Sequence, residues 1–136
     1  MAKFILRDAS VVVNSVDLSD HVESVEVQMG RDDVTNTSMG AQGVGRLPGL
    51  RDESFTVTWH QDFAASKVDA TLTGLYTAGT SHTVVVKATS AAVSATNPSW
   101  TGTCYLLDYP PVSGSVGDSA TSDTTFVVDG IITRAV

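Results

Sequence analysis

The chain has a single cysteine, Cys104, and no stretch approaching 18 apolar residues. The first fact excludes an intrachain disulfide. The second excludes a transmembrane helix. Basic residues are scarce: eight Lys and Arg stand against fifteen Asp and Glu, for a formal net charge of −7. Those eight are scattered, so no basic patch is offered to a phosphate backbone and stable nucleic-acid binding is disfavoured. Passive repulsion of nucleic acid is compatible with the same charge. Met1 to Ser10 carry Lys3, Arg7 and Asp8 and no apolar run of signal-peptide length, so no secretory signal is expected. From Ala88 to Val136 the only charged residues are Asp108, Asp118, Asp123, Asp129 and Arg134. A lone monomer usually has a more charged surface, so a Ser/Thr/Val-rich half this poor in charge suggests surface covered by other subunits.

What is present is β-type. Val and Thr dominate and strong helix formers are few. At 136 residues the chain is expected to be one domain, 1–136. Phe4 to Val13 reads as a first strand, with Asn14-Ser15 at a hairpin turn where Asn-Gly would be the better pair. In Val22 to Met29, Val25, Val27 and Met29 alternate with Glu26 and Gln28, the pattern of a half-buried strand. Gly30 to Arg51 has five glycines, a proline and no usable period, and is expected to be a long extended loop. Its apolar residues Val34, Met39, Val44, Leu47 and Leu50 are too many for a linker and look like contacts for a partner surface.

Ser54 to His60 is the clearest strand, with Phe55, Val57 and Trp59 on one face. Gln61 to Tyr76 is the helix candidate. Ala64, Val68, Leu72 and Leu75 form one stripe, Asp62 is placed to cap the helix, and Gly79 is placed to stop it. His82 to Thr89 and Trp100 to Tyr109 read as further strands, the second ended by Pro110-Pro111. Thr124 to Val128 and Ile131 to Thr133 flank Asp129-Gly130, a strong turn pair. The expectation is a mainly β protein: a β-sandwich or partly open barrel with one flanking α-helix and a long extended loop.

No residue set points to chemistry with force. His21, His60 and His82 lack ligand spacing, and the expectation is surface or interface histidines without a metal. Cys104 lies mid-strand, where a thiol is normally an inert small hydrophobe. Gly40 to Arg46 (GAQGVGR) lacks the Gly-Lys-Ser/Thr ending and the strand–helix setting of a phosphate loop. Asp32-Asp33 and Asp52-Glu53 flank the glycine-rich segment and are expected to be solvated. Paired catalytic carboxylates need an apolar pocket. Asn36-Thr37-Ser38 matches a glycosylation pattern, with no secretory context to give it meaning. Trp59 and Trp100 sit on separate segments among small polar residues, which suggests core rather than a saccharide platform. Neither catalysis nor a cofactor is expected.

The order of segments FILRDASVVVNSVDLSDHVESVEV, TNTSMG followed by RLPGL, QDFAASKVDATL, and TSAAVSATNPSWTGTCYLLDYPPVSGSVGDSATSDTTF resembles small tail-tube (major tail) proteins of siphophages, especially those of actinobacterial hosts. The likeness spans nearly the whole chain and rests on the order rather than on one motif. It implies a β-sandwich or barrel with one helix, assembled into hexameric rings that stack into a hollow tube. It further implies that Gly30 to Arg51 is an inter-subunit arm. The lumen would be acidic, so that DNA slides through without specific binding, with Glu23 and Glu26 as candidate lumen residues. Expected partners are the chain itself and the tail-tip or baseplate, tape-measure and tail-terminator proteins, with no membrane. The expected place is the virion tail, after synthesis in the host cytoplasm. Nothing corresponding to an appended immunoglobulin-like domain is expected. The rival readings are another small virion protein (tail terminator, baseplate or capsid decoration) and a ligand-binding β-sandwich module.

Overall fold

The computed structural model describes residues 3–136. The strands are β1 (Ser10–Val13), β2 (Val16–Asp17), β3 (Val22–Thr35), β4 (Arg46–His60), β5 (His82–Lys87), β6 (Ser99–Leu106), β7 (Thr121–Val128) and β8 (Thr133–Ala135). One α-helix, α1 (Val68–Ala78), lies between β4 and β5, and a 3₁₀ turn, Ser19–His21, precedes β3. The strands form one open antiparallel sheet in the order β2-β1-β5-β6-β7-β4-β3, with β8 beside β6. The mainly β expectation with one flanking helix therefore holds, in the form of a single eight-stranded sheet not closed into a barrel.

Alternation within the strands builds the core. Val11 and Val13, Phe55, Val57 and Trp59, Val84 and Val86, Cys104 and Leu106, and Phe126 and Val128 all point to one buried face. Val68, Leu72 and Leu75 of α1 cover that face, joined by Leu18 and Ile132. The stripe predicted for the helix is the stripe used, except that Ala64 is exposed and outside it. Gly79, in the left-handed region at φ 64°, ends the helix by donating its N–H to the Leu75 carbonyl. The helix begins at Val68 rather than at Gln61. Ser66, at φ 60°, breaks the helical path, and Asp62 closes a local turn by accepting the Ala64 N–H at 2.9 Å. That turn competes with helix.

Other boundaries moved for similar reasons. β1 starts at Ser10, and Phe4 to Ala9 make no ladder. Asn14 (φ 49°) and Ser15 (φ 67°) both take the left-handed region, so the tight hairpin forms despite the missing glycine. The residues after Asp129-Gly130 do not turn back on β7. They leave it, bury Ile132, and rejoin β6 further along as β8 (Thr101↔Thr133, Ser99↔Ala135). At this detour Gly102 leaves room for the Phe55 ring, which would stand 3.0 Å from a Cβ added there.

The largest correction concerns Gly30 to Arg51, expected to be a loop. β3 and β4 stay paired well beyond the body, from Val22↔Trp59 to Thr35↔Arg46, leaving residues 36–45 as the tip. The segment looked irregular because it is a two-stranded ribbon exposed on both faces, so no side needs an apolar row. Pro48 is tolerated because this part of β4 has β3 on one side only, β7 pairing no further than Ser54. Gly49 permits close approach: a Cβ there would meet the Asp32 Cβ at 2.8 Å.

The body and the ribbon should respond differently to truncation. Phe55→Ala is expected to lower unfolding stability by about 3–5 kcal/mol in urea titration. Leu50→Ala, at a position 83% exposed, is expected to change it by less than about 0.5 kcal/mol. Equal losses would show that the ribbon belongs to the core.

Candidate functional site

Two surfaces are built by the sheet. The first is the face opposite the core. In the registers Glu26↔Thr56, Thr56↔Thr125, Thr58↔Asp123 and Gln28↔Ser54, strands β3, β4 and β7 present a contiguous field of hydroxyls, an amide and two carboxylates. Thr58 donates to the Asp123 carboxylate at 2.8 Å. Among these positions there is no Lys or Arg. Glu26 lies where the sequence placed it, on the polar row. Glu23 is exposed but is the extra residue of a bulge between Val22 and Ser24, off the regular alternation. Asp123 was missed by sequence reasoning. The signal was there: Thr121, Asp123 and Thr125 alternate with Ser122, Thr124 and Phe126, but buried Ser122 and Thr124 disguised the inner row. Thr124 is held inside by the Trp59 indole N–H, which donates to its hydroxyl at 2.8 Å.

The second surface is the ribbon. Gly30 to Thr35, at ~3.3 Å per residue, carry it roughly 20 Å past the body. Every residue from Arg31 to Val44 is exposed. Val34 (46%), Met39 (105%), Val44 (59%), Leu47 (51%) and Leu50 (83%) are all exposed on this arm. Its ladder is supported by an exposed Arg46–Asp33 ion pair, by Asn36 N–H donating to Gly45 O, and by Gly45 N–H donating to the Thr37 hydroxyl. Exposed pairs of this kind contribute at most about 1 kcal/mol. Large apolar side chains on so lightly held a ribbon do nothing for the isolated subunit.

The arm's root is held to the body by a buried carboxylate. Glu53, expected to be solvated, is 2% exposed. Its two oxygens accept the Ile132 N–H at 2.7 Å and an Arg51 N–H at 2.9 Å, while Arg51 also donates to the Ile132 carbonyl. Burial pushes its pKa up, but these donors and nearby Arg31 outweigh burial and hold it below the usual value. Arg31 and Arg51 stand directly opposite each other in the ladder, a repulsive arrangement that Glu53 relieves.

The residues with chemical potential are dispersed. His60 is exposed. His21 is half-buried and bridges two carboxylates, Asp20 and Asp62, each at 2.7 Å. Burial would lower its pKa, but those two partners raise it on balance. His82 is a correction: rather than lying on the surface it is 4% exposed, packed edge-on to Phe126, and neither ring nitrogen finds a partner of good geometry. Burial holds it neutral, with only partial relief from the Thr80 backbone. Cys104, opposite His82 in the ladder, is fully buried and its thiol is pushed up to about 12 by burial. Among the described residues no group of three or more His, Cys, Asp or Glu is arranged to hold a metal ion. Among the described residues no helix is long and apolar enough to cross a membrane. Trp59 is in the core, and Trp100 is half-buried under the Arg134 guanidinium.

No family model and no curated protein matches the chain. Solved structures do. The chain is similar to a subunit in the tail of an empty gene transfer agent particle refined with C6 symmetry, at 15% identity and TM-score 0.66, over 85% of this chain and 83% of that one. It is similar to a chain of the SPP1 tail tube at 16% identity and TM-score 0.72, over 93% and 76%. It is also similar to a chain in the sheath/tube terminator of an extracellular contractile injection system, at 11% identity and TM-score 0.74, over 100% and 99%. At these identities the likeness establishes a shared fold: the chain has the fold seen in tail-tube assemblies.

His82 and His21 give opposite pH signatures. His82, depressed in the fold, takes up a proton more readily when unfolded, so it costs stability as pH falls below about 6.5. His21, raised in the fold, contributes stability below about pH 6.5 and loses it as pH rises through its folded value. Thermal melts of His82→Leu at pH 7.5 and 5.5 should therefore show a smaller acid-side loss than wild type, and His21→Gln a larger one. Identical pH dependence in all three would contradict the assignment.

Proposed function

We propose that the chain is a structural subunit of a phage-type tail tube, forming hexameric rings that stack into a hollow conduit for DNA. The observation that carries this is similarity of fold over 85% and 93% of the chain to subunits of tail and tube assemblies, combined with a protruding arm that exposes five large apolar side chains. The polar β3-β4-β7 face, with Glu26 and Asp123 and no cation, fits a lumen wall, because like charge prevents phosphate from adhering. Glu23, exposed beside it, joins the same candidate set. The apolar residues of the arm fit a contact with a neighbouring subunit or ring, where Val34, Met39, Val44, Leu47 and Leu50 would be covered. Subunits joined head to tail in this way grow as filaments. The siphophage type, the virion tail as its place, and partnership with tail-tip, tape-measure and terminator proteins follow from the sequence resemblance. Arrangement as a non-enzymatic structural protein accords with the dispersed titratable groups.

The terminator-type match supports one second reading, a protein that caps a tube. A cap closes as a single ring, whereas a tube subunit polymerises without limit. Glu26→Lys with Asp123→Lys should leave tubes intact in electron micrographs while cutting DNA delivery by at least about tenfold, since two reversed charges in each of six subunits turn repulsion into attraction. Normal delivery through normal tails would remove these residues from the lumen. Replacing the arm's residues 36–45 by a two-residue turn should abolish tubes yet leave a folded monomer, and tubes of normal length would defeat the arm's role.

A further inference from the structure

β3 is an edge strand along all fourteen of its residues, Val22–Thr35. An unpaired edge of that length exposes a row of N–H and C=O groups and is a template for another strand. β2, at the other end of the sheet, is only two residues long. The same molecule carries a segment with strand-like composition and no ladder. Lys3 to Arg7 (KFILR) has no assigned secondary structure, and Phe4, Ile5 and Leu6 are 63%, 72% and 53% exposed. Three consecutive large apolar residues in water, outside any element, call for a partner.

We propose that Lys3–Arg7 of one copy adds as a strand to the free edge of β3 in a second copy. The side-chain rows match at period two. Phe4 and Leu6 fall in line with the apolar row of half-buried Val25 and Val27 and exposed Met29, and Lys3 and Arg7 with the polar row that holds Glu26. Ile5 is the one apolar residue on the polar row. Charge complements as well: the segment carries two of the chain's eight basic residues and no acid before Asp8, while the edge it would join begins with Glu23 and Glu26. Asp8 anchors the segment's exit, its carboxylate accepting the Ser90 hydroxyl at 2.8 Å. Within its own chain the segment lies near the start of β3: Leu6, Arg7 and Ala9 line a small crevice with Ser19 and Val22 to Val25. Among the described residues no ladder forms there, and the outer edge of β3 beyond Val25 has no strand beside it.

The inference rests on the self-assembly reading, and its test separates the two. Full-length chains carrying Leu6→Cys and chains carrying Val27→Cys are mixed, assembled and mildly oxidised. Buried Cys104 stays out of the reaction. A disulfide-linked dimer in the mixture, absent from either variant alone, is expected, because strand addition between copies sets Leu6 of one beside Val27 of the other. Introducing Lys3→Glu and Arg7→Glu into the Leu6→Cys chain should cut the dimer yield roughly tenfold, as about 1.4 kcal/mol of cross-strand charge interaction is reversed. If the double variant Leu6→Cys/Val27→Cys gives only an internally linked monomer and the mixture gives no dimer, the segment pairs within its own chain and the proposal is overturned. If wild-type chains form tubes and a chain lacking residues 2–7 does so equally well, this proposal fails while the tube reading stands. If wild-type chains never associate, both fail.

Discussion

The alternation along β4 is the constraint on which the rest of the structure depends. Phe55, Val57 and Trp59 are fully buried, while Ser54, Thr56 and Thr58 lie on the other face. Because side chains in a strand point to opposite faces with period two, this one strand commits both neighbours. β3 and β7 must pair with it in the register that puts Val25, Val27, Phe126 and Val128 inward and Glu26, Thr125 and Asp123 outward. A one-residue slip of β4 would bury three hydroxyls and expose Trp59. The polar face is thus as firmly specified as the core, although no residue on it is chosen for stability.

The same strand makes the arm. β4 runs beyond the region where β7 can pair, so its first residues are left as a ribbon with β3. Ribbons of two strands are marginal in water. Here Glu53 sits where the ribbon meets the body and binds it to the segment before β8 through Ile132 and Arg51. A carboxylate that is both buried and well supplied with donors resists repacking, which gives the arm a fixed root and a free tip. That combination suits a surface meant to be covered on assembly: rigid enough to aim, with apolar groups left over.

Legibility in the sequence followed burial. Ser54 to His60, Val22 to Met29 and the Val68-Leu72-Leu75 stripe were readable because each has one wet and one dry side, and the pattern records it. Gly30 to Arg51 was not readable as strand because both of its sides are wet, and its five large apolar residues are all exposed. The helix start was misplaced because Asp62 closes a local turn with Ala64 and bridges to His21, a partner 41 positions away. His82 and Glu53 were assigned to solvent on residue type. Only tertiary packing reveals that one lies against Phe126 and the other under Ile132. Of the candidate lumen residues, Glu26 was legible from alternation, and Asp123 was hidden by a buried threonine row that looks polar in sequence.

In the proposed tube the β3-β4-β7 polar face looks into the channel and the arm bridges between subunits. Helical reconstruction of assembled wild-type protein by electron cryomicroscopy tests this most directly. The account predicts a hollow six-fold tube with Glu26, Thr56, Thr58 and Asp123 on its inner wall and Met39 and Leu50 buried between subunits. A tube whose inner wall is formed by α1, or closed rings that never stack, would contradict it.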